Sequence, residues 1–94
     1  MRVIARAALR RFAEKHADAA SGLNTWYYIV KRATFRTPNE LLRTFPKASV
    51  LGGGVTVFNI GSHRLEVHMR YDAGIVYIRA VMTHEEYDRR NRER

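Results

Sequence analysis

The chain has 94 residues, of which 46% are hydrophobic and 28% are charged, a balance typical of one soluble domain with a modest core. It contains no cysteine, which excludes disulfide bonds and thiolate-bound zinc. No apolar run approaches the roughly 18 residues of a membrane span. Arg6, Arg10 and Arg11 interrupt the region where a signal peptide would need an apolar core, so a cytoplasmic protein is expected.

The net charge is +8, from 17 Lys and Arg residues against 9 Asp and Glu residues, and 14 of the 17 cations are arginine. Residues 1–47 carry 10 basic and 3 acidic side chains, whereas residues 48–94 carry 7 and 6. Such a surplus favours an anionic partner, above all nucleic acid, and arginine suits bidentate contacts with phosphate. A GC-rich genome, whose codons favour arginine, is the alternative explanation.

The first half of the chain follows a helical period. Apolar residues spaced three and four apart predict a helix over about residues 6–18, and Ser21 is expected to cap a second helix. The letters TPNE at residues 37–40 predict a third, short helix with a Thr cap, a proline at its first position and a Glu three residues past the cap. Pro46 ends that helix and marks the main internal boundary.

Beyond Pro46 the period changes to two, which predicts antiparallel strands joined by tight turns at residues 61–62 and 72–74. Thr83 and Glu86 stand in capping-box register, so a short helix is expected to begin at His84. The polar tail, residues 89–94, is expected to be frayed or solvated.

These elements predict an α+β fold and a single domain over residues 1–94, with a basic helical half at 1–47 and an antiparallel meander and C-terminal helical turn at 48–94. Two helices and a helical turn pack on one face of a sheet of three or four antiparallel strands, and the opposite face is left open.

Polar residues in the sheet half are the candidates for chemistry. His63 and His68 lie five apart on a predicted strand and face opposite sides, which argues against a metal pair. Arg79 sits in an otherwise apolar strand and needs a partner, either a buried carboxylate such as Glu66 or a ligand phosphate.

A second candidate group follows the last strand. His84 and Tyr87 are three residues apart, which places both side chains on one face of a helical turn. Histidine can exchange a proton near neutral pH, and arginines such as Arg64 can hold a phosphate. A surface histidine beside a tyrosine that packs on the core explains the same spacing, so the pattern suggests phosphoryl transfer without specifying it.

Two segments resemble a known family. Residues 57–67 (VFNIGSHRLEV) resemble the strand–turn–strand signature of HigB toxins, in the RelE superfamily of toxin–antitoxin modules, and residues 76–88 (VYIRAVMTHEEYD) resemble the C-terminal signature of that family. The first half agrees in length, basic character and the helix start TPNELL at residues 37–42. The resemblance implies a RelE-like fold and an mRNA interferase, an endoribonuclease that acts in the ribosomal A site. In such enzymes a ribose 2′-hydroxyl attacks the adjacent phosphate, and neither a metal nor a cofactor is implied.

The resemblance also implies roles for individual residues. Arg64 matches the arginine that contacts the scissile phosphate, His84 matches a basic residue of proton transfer, and Tyr87 matches the C-terminal tyrosine. RelE-type members carry lysines on the strand before the turn, where this chain has residues VTV at 55–57, so the role of base falls to His84. The expected catalytic residues are Arg64, Arg79, His84 and Tyr87, and the expected RNA-binding residues are Asn59, Arg64, Arg79, Lys31 and Arg32.

The partners implied by the resemblance are mRNA, the ribosome and a cognate HigA-like helix-turn-helix antitoxin. Operator DNA is bound only through the antitoxin complex, and no membrane is involved. Two alternatives stay open on sequence grounds. One is a non-catalytic RNA- or ribosome-binding module, and the other is a degenerate toxin retained for antitoxin binding and control of its operon.

Overall fold

A computed structural model describes residues 1–92 of the chain. In chain order the elements are β1 (Arg2–Ile4), α1 (Ala7–Lys15), α2 (Ala17–Arg32), α3 (Pro38–Thr44), β2 (Ser49–Gly52), β3 (Val55–Ile60), β4 (His63–Arg70), β5 (Ile75–Thr83) and α4 (His84–Arg92). The strands form one sheet in the order β1-β5-β4-β3-β2, in which β1 is parallel to β5 and the other neighbours are antiparallel. The α+β class is confirmed, but the sheet is mixed and has five strands rather than three or four antiparallel ones.

The first two helices divide at a residue other than the one predicted. His16 leaves the helical region, with φ −130° and ψ 76°, and α2 begins at Ala17, before Ser21. The buried side chains of α2 already start at Ala19, whereas Ser21 is exposed in the middle of the helix. Ser21 is therefore a polar residue on the outer side of α2 and not its cap. Within residues 1–92, no helix is both long and apolar enough to cross a membrane.

The main core lies between the sheet and helices α1–α3. Alternation along β4 follows the predicted pattern, since Leu65 and Val67 are fully buried on the helix side while Arg64 and Glu66 face the other side. The buried core residues are Leu9, Ala19, Leu23, Trp26, Val30, Phe35, Leu41, Phe58, Ile60, Leu65, Val67, Met69 and Val76.

Two predicted helix starts are confirmed by their hydrogen bonds. Oγ1 of Thr37 accepts from the backbone N–H of Glu40 at 3.2 Å at the start of α3. At the start of α4, Oγ1 of Thr83 accepts from the backbone N–H of Glu86, and the Glu86 carboxylate accepts from that of Thr83, both at 3.1 Å. This reciprocal pair is a complete capping box, which satisfies two backbone donors at the helix end.

The terminal helix is longer than the single turn predicted. Residues 89–92 of the tail that was expected to be frayed or solvated belong to α4, and residues 93–94 lie outside the described part of the chain. Nη2 of Arg90 donates to Oε2 of the buried Glu66 at 3.1 Å, and Nη1 lies 4.0 Å from the sulfur of Met82. Glu66 and Met82 face away from α1–α3, so α4 covers part of the sheet face that was predicted to be open. The polar segment packs because the buried carboxylate neutralises Arg90.

Candidate active site

The turn between β3 and β4 joins the sheet to the start of α4. Gly61 in this turn has φ +60°, a left-handed conformation that favours glycine. The backbone N–H of His84 donates to the carbonyl oxygen of Ser62 at 3.0 Å. Arg64, in β4, is the register partner of Met82, two residues before His84. Strand pairing and this hydrogen bond therefore bring Arg64 and His84 together at one end of the sheet.

Arg64, His84 and Asp88 form a continuous row of polar contacts. Nη2 of Arg64 lies 3.0 Å from Nδ1 of His84, and Nε2 of His84 lies 3.0 Å from Oδ2 of Asp88. A guanidinium only donates hydrogen bonds, so Nδ1 accepts, and the ring proton is assigned to Nε2, which donates it to Asp88. The side chains of His84 and Asp88 are 52% and 48% exposed. The arrangement holds a neutral imidazole in one tautomer, within reach of an incoming ligand.

The backbone of the turn holds the guanidinium of Arg64. Its Nη1 donates to the carbonyl oxygen of His63 at 3.0 Å and to that of Gly61 at 3.5 Å. Asn59 is the partner of Arg64 across the β3–β4 ladder, and its side-chain amide donates to the carbonyl oxygen of Lys47 at 3.4 Å. The structure thus places Asn59 directly beside Arg64.

Arg79 lies farther along the same sheet face, at a β-bulge. The register between β4 and β5 shifts between Glu66 and Val67, so Arg79 is the extra residue on its strand. Bulges of this kind redirect a side chain. Nε of Arg79 lies 3.7 Å from Oε2 of Glu66, the oxygen that Arg90 also contacts. The Glu66 side chain is 3% exposed and that of Arg79 is 50% exposed. The buried carboxylate is therefore the partner of Arg79, and the outer half of the guanidinium stays accessible to an anion.

Tyr87 belongs to the same helix as His84 but is not the residue that pairs with it. It is half-buried in α4, three residues beyond His84. The residue that pairs with His84 is Asp88, one position later. Tyr87 thus follows His84 by just under one helical turn and is partly accessible to solvent.

Lys31 and Arg32 are not brought to this site. Both are exposed at the end of α2, beside Met1, whose amino group donates to the carbonyl oxygens of Val30 and Lys31 at 3.0 and 3.1 Å. Met1 precedes β1, which pairs with the first residues of β5. Since β5 spans nine residues, its two ends stand roughly 26 Å apart. Lys31 and Arg32 therefore lie far from His84, which follows the last residue of β5.

The capping box fixes the charge state at the start of α4. Hydrogen bonds from the backbone N–H and the hydroxyl of Thr83 hold the pKa of the Glu86 carboxyl below its usual range. Glu86 is therefore ionised at neutral pH, and its charge is favourable at the positive end of the helix dipole.

Asp88 is a functional candidate that the sequence analysis missed. Its signal was the four-residue spacing from His84, which places both side chains on one face of a helix. The contact of Arg90 with Glu66 had no comparable signal, because the two residues are 24 positions apart and meet only when α4 docks on the sheet.

Residues 19–90 match the HigB toxin family, described as the RelE-like toxic component of a toxin–antitoxin system. The chain is also 32% identical, over 92 residues, to the mRNA interferase toxin HigB of Escherichia coli (strain K12), a match that covers 94% of this chain and 88% of that protein. The proteins named mRNA interferase HigB from Escherichia coli O157:H7 and Shigella flexneri match to the same extent. The family match contains Arg64, His84 and Asp88, together with both segments that resemble HigB signatures.

Proposed function

The chain belongs to the HigB toxin family, the RelE-like toxic components of toxin–antitoxin systems, and we propose that it acts as an mRNA interferase that cleaves translated mRNA. Its partners are accordingly an antitoxin and RNA. More specifically, it cleaves mRNA in the ribosomal A site in the cytoplasm, and a HigA-like helix-turn-helix antitoxin neutralises it. Operator DNA is bound only through the complex with that antitoxin.

The observation that supports this function best is the 3.0 Å contact between Arg64 and His84, with Asp88 on the other ring nitrogen. Cleavage of RNA by its own 2′-hydroxyl needs a base beside that hydroxyl and a cation at the neighbouring phosphate. A phosphate oxygen is a stronger partner for a guanidinium than a neutral imidazole nitrogen is. Bound RNA therefore draws Arg64 away from Nδ1 of His84, which leaves that nitrogen ready to accept a proton.

The bond changes follow from this geometry. Nδ1 of His84 takes the proton of the 2′-hydroxyl as the 2′-oxygen bonds to phosphorus, and Asp88 stabilises the imidazolium that forms. The bond from phosphorus to the 5′-oxygen breaks and leaves a 2′,3′-cyclic phosphate, and the 5′-oxygen receives a proton. Arg64 neutralises the charge that develops on the phosphoryl oxygens. Tyr87 donates the proton to the leaving oxygen or stacks on an unpaired base.

The other cationic and polar residues bind RNA outside the cleaved bond. Arg79 and Asn59 border the Arg64–His84 contact on the same sheet face and are suited to the flanking phosphates. Lys31 and Arg32, at the far end of α2, are suited to ribosomal RNA, since their distance from His84 excludes contact with the scissile phosphate. Asn59, Lys31 and Arg32 thus contribute to affinity, while Arg79, which is expected among the catalytic residues, neutralises phosphate charge beside the cleaved bond.

Cleavage of a defined mRNA by purified protein, with and without programmed ribosomes, tests this function. His84→Gln keeps the side chain polar and of similar size but removes the base, so cleavage should fall by about 100-fold or more while the fold is retained. His68→Gln is the matched control, because His68 lies on the same strand and face as Arg64 but outside the contact row.

The product ends and the reaction conditions supply the remaining criteria. We expect a 2′,3′-cyclic phosphate and a 5′-hydroxyl, formed equally well in the presence of a chelator. If His84→Gln cleaves as fast as the wild type, the assignment of His84 as the base is wrong. Binding of the wild-type protein to ribosomes without any cleavage identifies a binding module instead.

A further inference from the structure

A second cluster of titratable side chains lies on the helix side of the sheet. His16 separates α1 from α2, and its ring stacks on Phe12 with centroids 4.2 Å apart and planes 19° apart. Asp18 is in the first turn of α2. His63 begins β4, and its side chain points towards this helix junction. His68 indeed faces the opposite side of the sheet, so the histidine that approaches His63 is His16 and not His68.

The ligand atoms of these three residues converge. One ring nitrogen from each of His16 and His63 and one carboxylate oxygen of Asp18 all lie within 4.8 Å of one another. Ligand atoms on a tetrahedral Zn²⁺ stand about 3.3 Å apart, so closing the site takes movements of at most about 1.5 Å. The Asp18 side chain is 72% exposed and has room for such a movement, whereas stacking on Phe12 orients the His16 ring.

His63 is the buried member of the three residues. Its side chain is only 7% exposed, and Oδ2 of Asp18 lies 3.9 Å from its Nε2. That distance is too long for a direct hydrogen bond, whereas an ion between the two atoms is within ligand distance of both.

We propose that His16, Asp18 and His63 form a site for a divalent transition metal, with Zn²⁺ as the ion that fits two imidazole nitrogens and one carboxylate oxygen. Water completes a fourth position. The role proposed for the ion is to hold two parts of the fold together. It links the α1–α2 junction to the start of β4, whose neighbouring turn accepts the hydrogen bond from the backbone N–H of His84. Because its ligands lie on the opposite side of the sheet from Arg64, the metal takes no part in RNA cleavage.

Metal titration of tag-free, chelator-treated protein tests this site independently of any nuclease activity. Calorimetry with Zn²⁺ and visible absorption with Co²⁺ are expected to show one ion per chain. Saturating Zn²⁺ is expected to raise the Tm by about 5 °C or more, because the ion binds the folded chain and not the unfolded one.

Two substitutions at accessible positions locate the ion without disturbing the buried histidine. Asp18→Asn and His16→Gln are each expected to weaken Zn²⁺ binding at least tenfold and to abolish most of the Tm shift. His68→Gln removes a histidine from the other face of β4 and is expected to bind Zn²⁺ like the wild type. Failure of the wild type to bind Zn²⁺ or Co²⁺ overturns the proposal. Zn²⁺ binding that survives both Asp18→Asn and His16→Gln also overturns it. Loss of Zn²⁺ binding in His68→Gln overturns it as well.

Discussion

His84 differs from the other three histidines of the chain in having a cation on one ring nitrogen and a carboxylate on the other. His16 and His63 approach each other on the helix side of the sheet, and His68 faces the same side as Arg64 without joining the contact row. In the proposed mechanism this pairing gives the two nitrogens of His84 different tasks, with Nδ1 as the base and Nε2 as the anchor of the ring.

We expect Asp88→Asn to lower the single-turnover cleavage rate by about tenfold or more without unfolding the protein. An amide stabilises the imidazolium less well than a carboxylate, and its NH₂ group can donate to Nε2, which shifts the ring proton to the nitrogen that serves as base. Cleavage rates and urea unfolding curves, measured on the same samples, separate the two effects.

Asp72→Asn is the control for that substitution, because Asp72 forms a comparable exposed ion pair with Arg70 on a distant turn. It is expected to leave cleavage unchanged. If Asp88→Asn cleaves as fast as Asp72→Asn, then Asp88 is only a surface partner of His84.

Among the elements, α4 decides whether the site is assembled. Its first residue is tied to the β3–β4 turn by the hydrogen bond to Ser62, and Arg90 near its other end is tied to the buried Glu66. The position of His84 relative to Arg64 therefore depends on the docking of the whole helix and not only on the capping turn.

Thr83→Ala is expected to reduce the free energy of unfolding by about 1 kcal/mol, because it removes the hydroxyl that accepts from the backbone N–H of Glu86. Cleavage should fall as well, since a frayed first turn displaces His84. Chemical denaturation and cleavage assays measure the two losses. Normal stability and normal cleavage together would show that the capping box does not position the site.

The capping box also predicts a pH dependence. The pKa of Glu86 is lowered in the folded chain, so its contribution to stability is fully present above its ordinary value near 4.5 and is lost as the pH falls through the lower, folded value. Glu86→Gln, which does not titrate, should therefore be less stable than the wild type at pH 7 and should approach it in acid. If the free energies of unfolding of the two proteins differ by the same amount at pH 7 and in acid, the lowered pKa of Glu86 is contradicted.

Local signals predicted the elements whose stability is local. The two threonine caps and the turn at residues 61–62 depend on neighbours a few positions away, and all were found where expected. β1 could not be predicted, because its three residues become a strand only by pairing with Ile75–Tyr77, more than 70 positions later. The same holds for Arg90 of α4, whose packing depends on the carboxylate of Glu66 in β4. Likewise, Arg64 and His84 could be selected as candidates from the sequence, but the contact between their side chains could not be predicted.

Over the whole molecule, the surplus of positive charge and the candidate site lie apart. Residues 1–47 carry 10 basic and 3 acidic side chains, yet Arg64 and His84 belong to the half with 7 and 6. The fold places the basic helices α1 and α2 on one side of the sheet and the contact row on the other. In the proposed function, the helical surplus provides salt-dependent affinity for ribosomal RNA, and the chemical step belongs to a few residues at the end of the sheet.

The most direct test of this account is the mapping of mRNA 5′ ends after induced expression of three proteins. These are the wild type, Arg64→Ala/His84→Ala, and a control, His68→Ala/Arg70→Ala, that removes the same residue types from β4 away from the site. The wild type and the control should arrest growth and create new 5′ ends inside translated frames. The site variant, present at the same level as folded protein, should create none. Identical new ends from the site variant, or growth arrest by the wild type without new ends, would contradict a nuclease centred on Arg64 and His84.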